Sequence, residues 1–153
     1  MKRIPLNQNA FTLVDDDDYE NLSKYKWYCS AQGYAVRNLG QGKQMRMHRQ
    51  IINAPNGFET DHINGDKLDN RKLNLRICTH SENCYNSQKR SDNTSGYKGV
   101  VYHREAGKWR ARISKKGKRK HVGLFHTAEE AARAYDDAAI KLHGEFARPN
   151  LKG

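Results

Sequence analysis

The chain has 153 residues and a formal net charge of +11, and 36% of its residues are hydrophobic and 29% charged. This length and polarity exclude one thick hydrophobic core and favour two or three small modules. The positive charge predicts a polyanionic partner, and the alternative is a basic surface that is only solvated. Three cysteines without a CxxC pair exclude a disulfide framework and a four-thiolate zinc site.

The N-terminal segment, residues 1–47, is predicted to be a β-rich extension. It begins without a sustained apolar run, so we expect neither a signal peptide nor a membrane span, and an intracellular, soluble protein. Gly33, Gly40 and Gly42 fall between short stretches that predict a small antiparallel β unit, namely FTLV, YKWY, YAV and MRMH. The acidic run from Asp15 to Asp18 is interpreted as a solvated turn.

Residues 48–90 are rich in Asn, Asp and Gly and then become briefly helical. The stretch LRIC can form a short strand, and Thr79 with Glu82 makes a capping-box pattern that predicts a helix starting near His80. Many polar side chains in this span are expected to be solvated, hydrogen-bonded or metal-bound, namely Asp61, His62, Asn64, Asp66, Asn70, Asn74, Asn83 and Asn86. An Asn- and Asp-rich turn region is the alternative interpretation.

The same side chains could support phosphodiester hydrolysis. A histidine with an ordinary pKa of about 6.5 can take a proton from water near neutral pH. A cation beside the phosphate can neutralise charge on the departing oxygen, and carboxylate and amide oxygens suit a hard cation such as Mg²⁺. Asp61 and His62 are neighbours that point to opposite sides of an extended segment, and Asn83 on the following helix could fold back over the same place.

The string HRQIINAPNGFETDHINGDKLDNRKLNLRICTHSENCYN resembles the HNH homing-endonuclease family of phages and introns, through its DH pair, NG turn, DN and NL steps and ENxxN helix. The resemblance implies a ββα-metal fold, in which a β-hairpin and a helix surround one divalent ion. It implies His62 as the general base, Asp61 and Asn83 as metal ligands, and Asn74 as the residue that braces the hairpin and orients His62. Candidate accessory residues are His48, His80 and Asn86.

Residues 91–96 are predicted to be a polar linker, and residues 97–151 a separate domain. The candidate strands of this domain are Tyr97 to His103, Lys108 to Ser114 and Arg119 to Phe125. Thr127 and Glu130 form a second capping box, after which an apolar stripe predicts an amphipathic helix that ends at Gly144. Three strands and one helix can share a small core and leave the other face of the sheet free.

This segment resembles the Apetala-2 (ethylene-response-factor) DNA-binding domain over residues 95–151, through YKGV, GKW, LFHTAEEAARAYDDAA and PNL. The resemblance implies that the sheet lies in the major groove of DNA, with the helix packed behind it. Alternation along the strand places two arginines on one face, where arginine can read guanine. The expected DNA-binding residues are Lys98, Gly99, Arg110, Arg112, Lys118, Arg119 and His121.

These patterns together predict an α+β chain, in which a ββα-metal HNH module (residues 48–90) precedes a three-stranded antiparallel sheet packed on one helix. We expect a metal-dependent DNA endonuclease that cuts one or both strands, with one Mg²⁺ per site. Double-stranded DNA is the expected partner, no protein partner is implied, and the host cytoplasm is the expected location if a phage encodes the chain. The alternatives are a non-catalytic DNA-binding transcriptional regulator and an RNA-directed protein.

Overall fold

A computed structural model describes residues 1–151, which form two compact units that divide between His80 and Ser81. The chain combines short helices with small antiparallel sheets, which confirms the mixed α and β composition that the sequence predicts. None of the helices in these residues is both long and apolar enough to cross a membrane. The second unit begins at Ser81, so it includes the predicted linker at residues 91–96 and the ten residues before it.

Three small antiparallel sheets make up the first unit. Its strands are β1 (Lys2–Pro5) paired with β2 (Phe11–Val14), then β3 (Tyr28–Cys29), β4 (Ala35–Gly40) and β5 (Lys43–Arg46) in one sheet, and β6 (Glu59–His62) paired with β7 (Leu75–Cys78). Its helical segments are α1 (Asp16–Leu22), α2 (Met47–Ile52) and a 3-10 turn over Lys72–Asn74.

The core of the first unit is built almost entirely by the N-terminal extension. Its buried members are Ile4, Val14, Leu22, Trp27, Ala35 and Met47. The Trp27 indole donates to the Leu22 carbonyl at 2.8 Å, so its polar edge is satisfied inside this core. The stretch MRMH was expected to be extended, but β5 ends at Arg46 and Met47 begins α2, which buries Met47 completely.

The interpretation of the acidic run as a solvated turn is wrong, because Asp16, Asp17 and Asp18 form the first turn of α1. Carboxylates are favourable there because the N-terminus of a helix carries partial positive charge. Asp15 precedes the helix, and its Oδ2 accepts the backbone N–H of Lys72 at 2.8 Å. The Lys72 ammonium lies 3.0 Å from Asp18 Oδ2. These contacts join the N-terminal extension to the turn that precedes β7.

The second unit contains a three-stranded antiparallel sheet and one long helix. The elements after residue 79 are α3 (His80–Tyr85), β8 (Val100–His103), β9 (Lys108–Lys115), β10 (Lys118–Phe125), α4 (Ala128–His143) and a 3-10 turn over Gly144–Phe146. The sheet order is β8-β9-β10, and the buried side chains between sheet and helix are Val100, Ala111, Ile113, Ala131, Ala132, Tyr135 and Ala139. Alanine side chains on α4 allow a close approach of helix to sheet, so a single thin core suffices.

Candidate active site and nucleic-acid interface

The β6–β7 hairpin buries the two residues of the DH pair. Asp61 and His62 are each 5% exposed, and the register places Asp61 opposite Arg76. Arg76 donates to Asp61 Oδ2 from Nε at 2.9 Å and from Nη2 at 2.7 Å. Both partners are largely buried, so this charge-assisted pair fixes the orientation of the carboxylate.

A chain of hydrogen bonds orients His62. Its Nε2 lies 3.2 Å from Oδ1 of Asn70, which is fully buried. The Asn70 Nδ2 donates to Thr12 Oγ1 at 2.7 Å, and the Thr12 hydroxyl donates to the Leu68 carbonyl at 2.7 Å. Because the Asn70 amide points its N–H toward Thr12, its oxygen faces His62 and accepts from Nε2–H. This contact favours the neutral tautomer that carries its proton on Nε2.

The pKa of His62 is lowered from its ordinary value of 6.5, chiefly because burial disfavours the charged imidazolium. The hydrogen bond to Asn70 and the carboxylates of Asp61, Asp66 and Asp69 oppose this effect and raise the pKa. Burial prevails, so His62 is neutral at neutral pH. A neutral imidazole is the form that can accept a proton from water.

Asn74 closes the loop between the two strands of the hairpin. Its Oδ1 accepts the backbone N–H of Asn64 at 2.9 Å, and its Nδ2 donates to the Asp69 carbonyl at 2.8 Å. These contacts correspond to the bracing role that the resemblance implies for Asn74. The side chain that is hydrogen-bonded to His62 is instead that of Asn70, in the DN step, to which the resemblance assigns no role.

The N-terminal extension supports the same loop. The backbone N–H of Leu13 in β2 donates to the Leu68 carbonyl at 2.8 Å, and the Leu13 carbonyl accepts from the Asn70 N–H at 2.8 Å. Thr12, the neighbour of Leu13, holds the Asn70 side chain. No local pattern in the sequence links residues so far apart, and so Thr12 and Leu13 were missed.

His48 packs against the ring of His62. The two ring centroids are 5.0 Å apart at 87°, and Tyr34 lies 5.2 Å from His48 and 6.0 Å from His62. His48 is only 3% exposed, and burial lowers its pKa to about 3, with further repulsion from His62, Arg46 and Arg49. His48 is therefore a neutral residue that supports the His62 ring by packing.

The remaining predicted nuclease residues lie on or beside α3. His80 begins the helix, and its Nδ1 lies 2.8 Å from Glu59 Oε1. Asn83 is half-buried in the second unit, whereas Asp61 belongs to the first. Asn86 follows the helix and is buried, and its backbone carbonyl lies 3.5 Å from Arg148 Nη1.

The C-terminal end of α3 is fixed within the second unit. The Tyr85 ring stacks on His143 with centroids 3.7 Å apart and 13° between the planes. The Tyr85 hydroxyl accepts the backbone N–H of Lys116 at 2.9 Å. Lys98 Nζ donates to the carbonyls of Tyr85 and Ser87 at 2.6 and 2.8 Å. A cation at this end of a helix is favourable because the last carbonyls carry partial negative charge.

Lys98 and Gly99, two of the expected DNA-binding residues, have close contacts within the second unit. The Lys98 ammonium is engaged by two carbonyls, and burial, reinforced by Arg148, lowers its pKa to about 8. Gly99 also has a structural role, because its φ is +76° and a Cβ there would collide with the Tyr135 ring and the Arg112 carbonyl oxygen. Both residues therefore have contacts within the second unit, and their role in DNA binding stays a prediction.

Four of the expected DNA-binding residues share the outer face of the sheet. Ala111 and Ile113 of β9 face α4, so alternation turns Arg110 and Arg112 outward. Across the sheet His121 pairs with Arg112, and Arg119 pairs with Ser114. Arg112, Arg119 and His121 are exposed, and Arg110 is half-buried.

Lys118 lies outside this group. It pairs with Lys115 next to the β9–β10 turn, one residue out of phase with Arg119. Alternation therefore directs its side chain away from the outer face.

Comparison with known proteins identifies both parts of the chain. A model described as HNH endonuclease matches residues 53–85, and a model described as AP2 domain matches residues 95–145. The chain is 33% identical over 150 residues to "Uncharacterized HNH endonuclease L560" of Acanthamoeba polyphaga mimivirus. The matched residues cover 94% of this chain and 76% of that protein.

Two further relatives match parts of the chain. "Protein 3.8" of Escherichia phage T7 is 34% identical over 111 residues, 69% of this chain and 91% of that protein. "APETALA2-like protein 2" of Oryza sativa subsp. japonica is 49% identical over 51 residues, 33% of this chain and 12% of that protein. The two resemblances inferred from the sequence are thus confirmed, with the AP2 domain in the C-terminal part.

Proposed function

This chain belongs to the HNH endonuclease family, and from that premise we propose that it hydrolyses phosphodiester bonds in double-stranded DNA. The observation that carries the proposal is the hydrogen bond from His62 Nε2 to the buried Asn70 amide. This bond supports the proposal, because it favours a neutral ring with the proton on Nε2 and the lone pair on Nδ1. A base at that nitrogen is what activation of water requires.

In the proposed reaction, His62 takes a proton from a water molecule whose oxygen attacks the phosphorus. The bond from phosphorus to the 3′ oxygen breaks, and that oxygen takes a proton from a second water molecule, which leaves a 5′ phosphate and a 3′ hydroxyl. Asn70 stabilises the imidazolium that forms, because its oxygen accepts from Nε2–H in both protonation states. The tautomer and the ring position are set before the substrate binds, which limits the reorganisation needed in the reaction.

The donor set fits a hard divalent cation. Among residues 1–151, no group of three or more His, Cys, Asp or Glu side chains is arranged to hold a metal ion. Mg²⁺ commonly takes one or two protein carboxylates and completes its shell with water and phosphate oxygens. We propose Asp61 and Asn83 as its ligands, because they offer the carboxylate and amide oxygens that such an ion takes and are the residues that the HNH resemblance implies. When bound, the ion would neutralise charge on the departing oxygen.

The outer face of the C-terminal sheet is proposed to place the protein on its target. A β-sheet face can enter the major groove, where arginine pairs with the O6 and N7 of guanine. Arg110, Arg112, Arg119 and His121 supply such a face, since α4 covers the opposite side of the sheet.

Conversion of supercoiled plasmid or phage DNA tests the proposed function. With Mg²⁺ we expect nicked or linear products, and with EDTA we expect the supercoiled form to persist. Cleavage that continues in EDTA would contradict the metal requirement. No cleavage of any DNA in a broad mixture that includes phage genomes would favour the alternative, a non-catalytic DNA-binding regulator.

Replacing Asn70 tests its role as the residue that positions His62. Asn70→Leu removes the acceptor, so we expect cleavage to fall about 10- to 100-fold while DNA binding persists. Asn70→Asp keeps an acceptor and adds a negative charge, which favours imidazolium and raises the pKa of His62. Because the reaction needs neutral His62, the acid limb of the plot of kcat/KM against pH should move to higher pH in this variant.

If Asn70 only stabilised the fold, both variants would cleave more slowly and the acid limb of the pH profile would stay at the same pH. Circular dichroism and thermal unfolding of the two variants provide the control for folding.

A further inference from the structure

Two cations lie on the ring of Tyr34, beside His62. The Arg46 guanidinium carbon is 5.0 Å from the centroid of this ring, and Lys67 Nζ is 4.7 Å from it. The centroid of the same ring is 6.0 Å from that of His62. Tyr34 is half-buried and both cations are exposed to solvent, so the two charges lie at the surface over a ring that is close to the buried base.

These two charges are not neutralised by carboxylates. Within residues 1–151, neither Arg46 nor Lys67 forms an ion pair. Two carboxylates near His62 already have cationic partners, because Asp69 binds Arg71 at 2.7 Å and Asp61 binds Arg76 at 2.7 Å. The third carboxylate that acts on His62, Asp66, accepts the backbone N–H of Leu68 and forms no ion pair among residues 1–151. The two cations outnumber this one unpaired carboxylate, so the surface beside the base has a positive charge to offer an anionic ligand.

The cations are also held in place. Lys67 Nζ donates to the Gln32 carbonyl at 2.8 Å, which anchors the ammonium while it lies over the ring. Arg46 ends β5 and immediately precedes α2, and the second residue of that helix is His48, which packs on His62. A cation over an aromatic ring retains its charge, and the Lys67 ammonium has three N–H donors, of which the Gln32 carbonyl takes one.

We propose that Arg46 and Lys67, positioned by Tyr34, bind the phosphate groups of the DNA strand that is cut, so that the scissile phosphodiester lies against His62. This inference rests on the proposed function and adds a phosphate-binding subsite in the first unit to the face offered by the C-terminal sheet. The two cations would stabilise the negative charge that increases on the phosphate oxygens in the transition state.

A pair of similar contacts on β1 supplies a matched control. Lys2 lies 4.7 Å from the Tyr19 ring centroid, and Arg3 lies 4.2 Å from that of Phe11. The double variant K2Q/R3Q therefore removes the same two charges and the same kind of contact as R46Q/K67Q. Neither Tyr19 nor Phe11 is among the rings packed on His62.

The first measurement is the rate of plasmid cleavage with Mg²⁺ and saturating protein, where binding no longer limits the rate. We expect R46Q/K67Q to cut about 100-fold more slowly than the unmodified protein and K2Q/R3Q to differ less than about threefold. The charge-conserving variant R46K/K67R should recover most of the rate. Equal rates for the two glutamine double variants would overturn the proposal in a protein that cleaves.

The second measurement does not depend on cleavage. In a His62→Ala background, affinity for a mixed-sequence DNA duplex is followed as the salt concentration changes. Loss of two phosphate contacts should reduce the slope of log K against log salt by about 1.8, and K2Q/R3Q should leave the slope unchanged. A slope that is the same in both double variants would overturn the phosphate subsite.

The two measurements separate the subsite from the proposed function. If the unmodified protein does not cleave but the slope falls only in R46Q/K67Q, the subsite stands and the nuclease assignment fails. If the protein cleaves and neither slope nor rate distinguishes the double variants, the nuclease assignment stands and the subsite fails.

Discussion

A His62→Ala protein is expected to bind DNA normally and to cleave it about 1,000-fold more slowly, within the range attributed to a positioned general base. The substitution removes the nitrogen that accepts the proton from water. It also leaves the buried Asn70 oxygen without its donor and a space between Tyr34 and His48. The measurement is the rate of plasmid conversion with Mg²⁺, together with the affinity for duplex DNA.

A second substitution separates lost chemistry from lost packing. In His62→Gln, the amide can still donate to Asn70, so the buried network is retained while the base is absent. We expect His62→Gln to be as inactive as His62→Ala and to unfold at a temperature closer to that of the unmodified protein. His126→Ala, at an exposed histidine that precedes α4, is the control and should cleave normally. A normal rate in His62→Gln would show that His62 is not the base.

The affinity of the whole chain for duplex DNA is expected to fall about 1,000-fold or more between about 50 and 200 mM salt, if at least six phosphates are neutralised. The physical reason is release of the counterions that a chain with a net charge of +11 displaces from DNA. Fluorescence anisotropy of a labelled mixed-sequence duplex measures it. A flat response would contradict an electrostatic interface.

The outer face of the C-terminal sheet predicts which residues contribute to that response. Arg112→Gln and Arg119→Gln should weaken binding by about 1–3 kcal/mol each where they contact a base, and reduce the salt slope by about 1 where they contact a phosphate. Arg133→Gln is the matched control, because Arg133 is exposed on α4 and pairs with Glu129 at 2.8 Å. An equal loss in Arg133→Gln would indicate a general charge effect. Duplex RNA that competes as well as duplex DNA would favour the RNA-directed alternative.

Local signals in the sequence predicted the second unit well. The capping box at Thr127 and Glu130 predicted a helix that ends at Gly144, and the structure has α4 from Ala128 to His143 with both capping hydrogen bonds. The third candidate strand, Arg119 to Phe125, differs from β10 by one residue at its start. These elements depend on patterns of three to ten neighbouring residues, which one sequence displays directly.

Contacts between distant residues could not be predicted in the same way. The amide of Asn70 is oriented by Thr12, which lies 58 residues earlier in the chain. The Lys98 ammonium donates to carbonyls of residues that precede it by 11 and 13 positions, a contact for which the sequence has no local pattern, while its role on DNA stays a prediction. The assignment of Asp61 and Asn83 as metal ligands stays a prediction, because it depends on an ion and not on local contacts.

The anchoring of α3 has a consequence for protein engineering. A chimaera that exchanges the C-terminal domain at the polar segment near residue 91 would separate Tyr85 from the His143 ring and from the Lys98 ammonium that caps the helix. A retargeted fusion therefore has to carry over equivalents of these two residues, or take its crossover point upstream of Ser81. In natural proteins the same contacts would favour inheritance of α3 and the AP2 domain together as one segment.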